Sequence, residues 1–234
     1  FLCVAIPRLR ERRYRQTAAW SQLFLDRHLS EFPMFDAFIL AAGFGTRLRP
    51  LTDELPKPLV PVCGVPMLAY ALAQCSQYGL KKVIVNAHWK SHRLKEWEGE
   101  HEGCHVSISD EQPEILGTGG GLQLVQEQLA ERFVVLNGDV LNNVDLHKLT
   151  DAIPEGGGVL ALRAHATDAE RYGIVAADQT GTLVKLRDIA SARADGELKL
   201  DTHFTGIHAM DRKMLELVEP GFSCIIRTAY KALV

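Results

Sequence analysis

Short apolar runs alternate with a helical pattern along the first half of the chain. Apolar runs bounded by turn residues indicate buried strands, and they occur at Phe38–Ala42, Lys82–Asn86 and Phe133–Leu136. Between the first two, residues 66–78 start with proline, repeat apolar residues at helical spacing and end before a glycine, which predicts a helix. A strand, a helix and a second strand in this order indicate a parallel βαβ unit. The sequence therefore predicts an α/β fold.

The second half of the chain has three further strand patterns. They are Val159–Arg163, Tyr172–Ala177 and Thr182–Leu186. Residues 178–181 read Asp-Gln-Thr-Gly, which predicts a hairpin turn between the last two strands.

Composition excludes several classes of protein. The chain has 234 residues, 47% hydrophobic and 24% charged with a net charge of −3, which supports one substantial core and gives no reason to expect a nucleic-acid partner. No apolar run approaches the length of a membrane span, so no membrane partner is expected. The five cysteines form no C-x-x-C pair, which favours the reduced thiols of a cytoplasmic protein. Oligomeric state is not indicated.

The first apolar run ends in a loop whose residues suit a polyphosphate. Gly43 and Gly45 allow backbone conformations that other residues resist, so their N–H groups can turn toward a phosphate. Arg47 adds a planar cation suited to phosphate oxygens, and Lys57 adds a second cation between two prolines. The spacing differs from both the P-loop and the Rossmann fingerprint. We therefore predict a polyphosphate site of another type.

A second loop is predicted where four glycines fall within residues 117–121. Such a density of glycine is not expected inside a helix. It would permit close approach of the backbone to a flat ligand. Leu122, Val125 and Leu129 then repeat at helical spacing, so the loop is predicted to open a helix.

A carboxylate follows the apolar run Phe133–Leu136. Asp139 is expected at the carboxyl end of a central strand, where ligands bind in open α/β sheets. A carboxylate there suits Mg²⁺, which prefers oxygen ligands and substrate phosphates. Asp145 is a weaker second candidate because it lies beyond the strand end. His88 and His92 are four residues apart, but no third ligand accompanies them, so we do not predict a metal there.

Three stretches together resemble the sugar-1-phosphate nucleotidyltransferase family. They are G-x-G-T-R-L-x-P-L-T at residues 43–52 with P-K-P at 56–58, L-G-T-G-G at 116–120, and N-G-D at 137–139. The resemblance implies a Rossmann-like, three-layer α/β/α (GT-A-like) fold with a mostly parallel central sheet. It also implies Mg²⁺-dependent transfer of a nucleoside monophosphate from a nucleoside triphosphate to a sugar 1-phosphate, as in nucleotide-sugar synthesis for cell-envelope polysaccharides. The N-G-D-V and T-G-G-G forms look most like the N-acetylmuramate-1-phosphate uridylyltransferases and the mannose or heptose phosphate guanylyltransferases.

The resemblance also implies roles for individual residues. Arg47 and Lys57 would be catalytic, and Asp139 would hold the metal. The implied nucleotide-binding residues are Leu40, Ala42, Gly43, Gly45, Thr46, Asn86, Glu111, Gly117, Thr118, Gly119 and Gly120; the implied sugar-binding residues are Asn137, Tyr172, Gly173, Thr205 and Gly206. Asn86, Glu111 or Glu114 would read the base edge, with solvated loop carboxylates as the alternative for the two glutamates.

Parts of the chain depart from the family pattern. Residues 185–188 read Lys-Leu-Arg-Asp where many members have an aromatic residue, a glutamate and a lysine, which puts the sugar contacts in question. His203 and His208 are expected on the surface of a strand. Two other functions stay open: a non-catalytic nucleotide-sensing domain on the same fold, and a cytidylyltransferase acting on a non-sugar phosphate.

The ends of the chain lie outside the pattern. Residues 1–33 combine an arginine cluster with a short, interrupted apolar stretch, which is too short for a signal peptide. We expect an N-terminal extension there and a nucleotidyltransferase domain over residues 34–234. The second metal-binding aspartate of the family has no match before Val234, so the domain is expected to be truncated at its C-terminus, with apolar surface uncovered near Ile225 and Ile226.

Overall fold

A mixed, ten-stranded sheet forms the centre of the part of the chain that the computed structural model describes, which is residues 35–164, 173–177, 182–190 and 199–234. The strands are β1 (Asp36–Leu40), β2 (Pro61–Val62), β3 (Val65–Pro66), β4 (Lys82–Ala87), β5 (Gly99–His101), β6 (Cys104–Asp110), β7 (Arg132–Asn137), β8 (Gly158–Ala164), β9 (Ile174–Ala177), β10 (Leu183–Leu186), β11 (Ile189–Ala190) and β12 (Lys199–Asp211). The sheet has the order β11-β10-β9-β12-β7-β1-β4-β6-β5, β8 also pairs with β12, and β2 and β3 form a separate hairpin.

The helices are short, and the longest is α2 (Met67–Gln77). They are α1 (Leu51–Glu54), α2 (Met67–Gln77), α3 (Ser91–Lys95), α4 (Gly117–Leu124), α5 (Leu146–Asp151) and α6 (Lys231–Leu233), with 3₁₀ turns at Thr46–Leu48, Lys57–Leu59, Gln126–Gln128 and Arg212–Leu217 and a π-helical turn at Ile226–Tyr230. No helix in the described ranges is long and apolar enough to cross a bilayer.

The parallel strands occupy the middle of the sheet. β1 pairs in parallel with both β4 and β7, and β4 pairs in parallel with β6. The carboxyl ends of β7, β1 and β4 therefore meet at one edge, which is where α/β sheets bind ligands. The predicted βαβ unit is confirmed. The later strands add antiparallel pairings, including the predicted pair of β9 and β10. Tyr172 and the predicted turn at 178–181 lie outside the described residues.

Helices cover both faces of this sheet. Because successive strand residues point to opposite faces, Ala37 and Ile39 face one layer and Phe38 faces the other. The first layer contains α2, α3 and α5, and the second contains α4 with residues 212–230. Two apolar clusters result, one on each side, and the three-layer Rossmann-like fold is confirmed.

Helix α2 follows the sequence pattern closely. Leu68, Leu72 and Cys75 are fully buried on one of its faces. Gly79 follows the helix with φ of +76°, the left-handed conformation that glycine adopts at helix ends. Pro66 precedes the first helical residue instead of occupying it.

The prediction of a loop at residues 117–121 is wrong, because α4 begins at Gly117 and includes every glycine of the run. These glycines are required by packing. A Cβ at Gly120 would overlap the carbonyl oxygen of Gly221, and one at Gly119 would lie 2.5 Å from Ser223 Oγ. Leu122, Val125 and Leu129 are all buried as the periodicity suggests, although the helix ends at Leu124.

Both strand histidines are buried, which contradicts their predicted surface position. His203 is 9% exposed and His208 2% exposed, because the sheet has a packed layer on each face at β12. Burial lowers the pKa of His208 to about 3. The expectation of uncovered apolar surface near Ile225 and Ile226 is wrong for Ile225, which is buried in the second layer, whereas Ile226 is partly exposed.

Candidate functional site

A cavity of about 470 Å³ lies at the carboxyl edge of the parallel strands. It is lined by the ends of β1, β4 and β7, by the loops after β1 and β7, and by the segment that follows β6. The lining residues are Leu40, Ala41, Ala42, Gly43, Phe44, Gly45, Thr46, Arg47, Leu48, Lys57, Pro58, Asn86, Glu111, Ile115, Gly117, Thr118, Asn137 and Asp139. Both predicted catalytic residues, the predicted metal ligand and most of the predicted nucleotide-binding residues thus surround one space.

The loop after β1 is held by a buried threonine. Gly45 has φ of +63°, and a Cβ there would lie 2.8 Å from Thr52 Cγ2. The hydroxyl of Thr52 donates a hydrogen bond of 2.8 Å to the carbonyl of Gly45. Thr52 is fully buried, so the last residue of the G-x-G-T-R-L-x-P-L-T motif stabilises the loop and does not contact the cavity. Gly43 has no atom within 4 Å of its Cβ position and leaves the cavity open there.

An aromatic side chain forms part of the cavity lining, and sequence reasoning missed it. The Phe44 ring packs edge-on against His88 at 5.4 Å and lies 5.8 Å from the Trp89 ring. The Trp89 indole N–H donates to the carbonyl of Thr52 at 2.9 Å. Phe44, which lies between the two loop glycines, is therefore held by ring contacts with residues 88 and 89, although no spacing in the sequence links it to them.

Lys57 and Asp139 form an ion pair within the cavity. Their side chains are 30% and 27% exposed, so both can reach a ligand. No group of three or more His, Cys, Asp or Glu side chains gathers to hold a metal within the described ranges. A single accessible carboxylate is nevertheless compatible with Mg²⁺, because this ion takes one or two carboxylates and completes its shell with phosphate and water. Asp139 therefore fits the role of its protein ligand.

Asp145, the weaker metal candidate, has a structural role. It precedes α5, and its carboxylate accepts a hydrogen bond of 3.1 Å from the backbone N–H of Lys148. This is the geometry of a helix N-cap.

The two glutamates before α4 have different environments. Glu111 is 1% exposed, so the solvated alternative is wrong for it, whereas Glu114 is exposed. The Glu111 carboxylate accepts from Asn86 Nδ2 and from the backbone N–H of Leu116, each at 2.7 Å. Asn86 Oδ1 accepts from the backbone N–H of Ala41 at 2.6 Å.

Gly119 and Gly120 face residues 221–225 and do not line the cavity. The N–H of Gly119 donates to the carbonyl of Ser223 at 2.9 Å. Thr118 Oγ1 accepts from the backbone N–H of Ile225 at 3.0 Å while Thr118 also lines the cavity. The C-terminal residues thus support the nucleotide side of the predicted site.

The predicted sugar-binding residues are only partly brought together. Asn137 lines the cavity, and its carboxamide packs directly against Gly206. Thr205 donates to the carbonyl of Ala161 at 2.8 Å. Gly173 lies under the Arg187 side chain, outside the cavity lining.

The departure at residues 185–188 ends in an ion pair. Asp188 is bound by Arg227 at 2.5 Å. The hydrogen bond from Arg227 lowers the pKa of Asp188 below its ordinary value.

Residues 36–188 match the Nucleotidyl transferase family. The chain belongs to this family. It is 30% identical over 191 residues to a mannose-1-phosphate guanylyltransferase of Mycobacterium tuberculosis, covering 80% of this chain and 51% of that protein. It is 38% identical over 112 residues to an N-acetylmuramate alpha-1-phosphate uridylyltransferase of Neisseria meningitidis serogroup B, covering 47% of this chain and 48% of that protein.

The fold is also found among solved structures. HddC from Yersinia pseudotuberculosis, in its complex with GMP-PN, superposes with a TM-score of 0.63 at 23% identity, covering 82% of this chain and 83% of that one.

This nucleotidyltransferase-family chain spans about half the length of the curated relatives it matches.

Proposed function

We propose that this nucleotidyltransferase transfers a nucleoside monophosphate from a nucleoside triphosphate to a sugar 1-phosphate, releasing pyrophosphate. The observation that carries the proposal is the convergence of Arg47, Lys57 and Asp139 on one cavity at the carboxyl ends of β1 and β7. Two cations and one carboxylate are the charges that phosphoryl transfer requires. A domain that only senses nucleotides would not need all three.

The chemistry follows from charge and position. An oxygen of the sugar phosphate attacks the α-phosphorus, and pyrophosphate leaves on the opposite side. The attacking oxygen is already anionic, so no protein general base is needed. Arg47 holds the leaving β- and γ-phosphates together with the N–H groups of Gly43 and Gly45. Lys57 leaves its ion pair with Asp139 to contact the α-phosphate and the incoming phosphate.

Asp139 would hold Mg²⁺, which when bound neutralises phosphate charge as a Lewis acid. The position of Asp139 supports this assignment, because its partly exposed carboxylate lies in the cavity beside the cation of Lys57.

The names of two relatives suggest a substrate class. The two relatives described above are named for guanylyl and uridylyl transfer. We propose GTP or UTP as the nucleotide, a hexose- or heptose-type sugar 1-phosphate as the acceptor, and a cytoplasmic role in supplying nucleotide sugars for cell-envelope polysaccharides.

Pyrophosphate release tests the proposal directly. The purified protein is incubated with Mg²⁺, one of ATP, CTP, GTP, UTP or dTTP, and a panel of sugar 1-phosphates and choline phosphate. We expect release with GTP or UTP and one sugar phosphate. Release only with CTP and choline phosphate would indicate the cytidylyltransferase alternative. Nucleotide binding without release from any pair would indicate the nucleotide-sensing alternative.

A further inference from the structure

A buried hydrogen-bond network joins the three segments that form one side of the cavity. Asn86 lies on β4, Ala41 follows β1, and Leu116 precedes α4. Glu111 links them, since one of its oxygens accepts from Asn86 Nδ2 at 2.7 Å and the other accepts from the N–H of Leu116 at 2.7 Å. Asn86 then accepts from the N–H of Ala41 at 2.6 Å.

The space for this carboxylate is built into the fold. A Cβ at Gly121 would overlap Glu111 Oε1, so the helix residue below Glu111 must be glycine. The backbone of Glu111 is also hydrogen-bonded. Its N–H donates to the carbonyl of Ala87 at 2.7 Å, and the carbonyl of Glu111 accepts from His88 Nδ1 at 2.6 Å. Each polar side-chain atom of Glu111 and Asn86 has a partner within the protein. Both residues are nearly fully buried, at 1% and 2% exposure.

We propose that Glu111 is a positioning residue for nucleoside triphosphate binding and does not read the base itself. Through Asn86 it orients the backbone that enters the Gly43–Thr46 loop. Through Leu116 it fixes the Ile115–Thr118 side of the cavity. The proposal rests on the proposed function, because it assigns the cavity to a nucleoside triphosphate.

The polarity of the network makes this role testable by exchange. In Glu111→Gln, an amide donor would face either Asn86 Nδ2 or the N–H of Leu116, so one buried donor loses its acceptor. In Asn86→Asp, two carboxylates would face each other. In the double variant, Gln at 111 donates to Asp at 86 and still accepts from Leu116, while Asp at 86 still accepts from Ala41. All three hydrogen bonds are then restored.

Calorimetric titration with UTP and GTP, beside steady-state kinetics and thermal unfolding, provides the measurement. We expect Glu111→Gln to raise the nucleotide Kd and KM by between about 5-fold and 100-fold, the range of one lost buried hydrogen bond. Asn86→Asp should raise them at least as much, because two buried carboxylates repel each other. The kcat and the KM for sugar phosphate should change much less. The double variant should return within about 3-fold of the wild-type Kd, because it regains every hydrogen bond. Glu127→Gln, which changes an exposed carboxylate outside the cavity lining, is the matched control and should bind like wild type.

Three results would overturn the proposal. Single variants that lower the unfolding temperature but bind nucleotide normally when folded would reduce Glu111 to a stability role. A folded double variant that binds as weakly as the singles would mean that Glu111 contacts the ligand. Wild-type protein that binds neither nucleotide would contradict the proposed function itself. If Glu111→Gln does not fold alone, the double variant decides: wild-type Kd supports positioning, and a raised Kd contradicts it.

Discussion

At the scale of the residue, two arginines that are two positions apart in the sequence have different surroundings. Arg47 is exposed and lines the cavity, whereas Arg49 is paired with Asp53 at 3.3 Å and lies outside it. We expect Arg47→Ala to lower turnover by about 100-fold or more, because the proposed function assigns this cation to the leaving phosphates. Arg49→Ala, the matched control, should keep wild-type turnover. Unfolding temperatures of both should stay near wild type, since exposed side chains contribute little to stability. Equal turnover by the two variants would contradict the role of Arg47.

Asp139 and Asp145 allow a similar comparison for the metal. Asp139→Asn keeps the shape of the side chain but removes its charge, so the Mg²⁺ concentration for half-maximal turnover should rise and maximal turnover should fall. Asp145→Asn should leave the Mg²⁺ titration unchanged, because asparagine also serves as an N-cap and Asp145 does not line the cavity. If only Asp145→Asn shifted the Mg²⁺ titration, Asp145 and not Asp139 would be the metal ligand.

The convergence of the motif residues could be predicted from sequence, and their partners could not. Carboxyl ends of parallel strands meet at one edge whatever their side chains, so the sequence predicts that Arg47 after β1 and Asp139 after β7 lie near each other. The burial of Glu111 depends on contacts with Asn86, 25 residues earlier, and on the space at Gly121. Neither leaves a periodic signal. Glu111 and Glu114 consequently look alike in sequence although one is buried and the other is exposed.

At the scale of the element, α4 is a helix because of its packing contacts, although its glycines have low helix propensity. Glycine costs up to about 1 kcal/mol per helical position relative to alanine, which is why the run predicts a loop. The segment 221–225 compensates by close backbone contact, and its hydrogen bond from Ile225 to Thr118 spans 107 residues of sequence. Local pattern contains no information about a partner at that separation. Helix α2, which packs through its own apolar stripe, was predicted almost to the residue.

The same contact predicts how α4 responds to substitution. Gly120→Ala would push a methyl group into the carbonyl of Gly221, so the free energy of unfolding should fall by about 2 kcal/mol despite better helix propensity. Gly43→Ala, which meets no atom within 4 Å, should change it by less than about 0.5 kcal/mol. Urea unfolding of both variants gives the comparison. If Gly120→Ala is neutral or stabilising, the close approach of residues 221–225 to α4 is not what requires glycine there.

At the scale of the whole molecule, packed residues cover both faces of the sheet at strand β12. β12 pairs with β7, β8 and β9 and so joins the parallel centre to the antiparallel part. The sequence predicts His203 and His208 at the surface of the strand instead. His208 shares its face of β12 with Phe204 and Met210, and residues that come later in the chain close that face. Tyr230, in the π-helical turn, is 3% exposed and lies 2.9 Å from His208 Nδ1 through its hydroxyl.

The burial of His208 makes global stability depend on pH. Desolvation lowers its pKa from 6.5 to about 3, so the folded protein keeps this histidine neutral while the unfolded chain protonates it below pH 6.5. The unfolded state then binds more protons, and stability present above pH 6.5 is lost as pH falls toward 3. Between pH 7 and pH 5 this one group should cost about 2 kcal/mol. Urea unfolding at both pH values should therefore show a loss about 2 kcal/mol larger for wild type than for His208→Gln, which has no titrating ring. His92→Gln changes an exposed histidine and should lose as much as wild type. Equal losses for wild type and His208→Gln would mean that His208 is not held neutral in the folded protein.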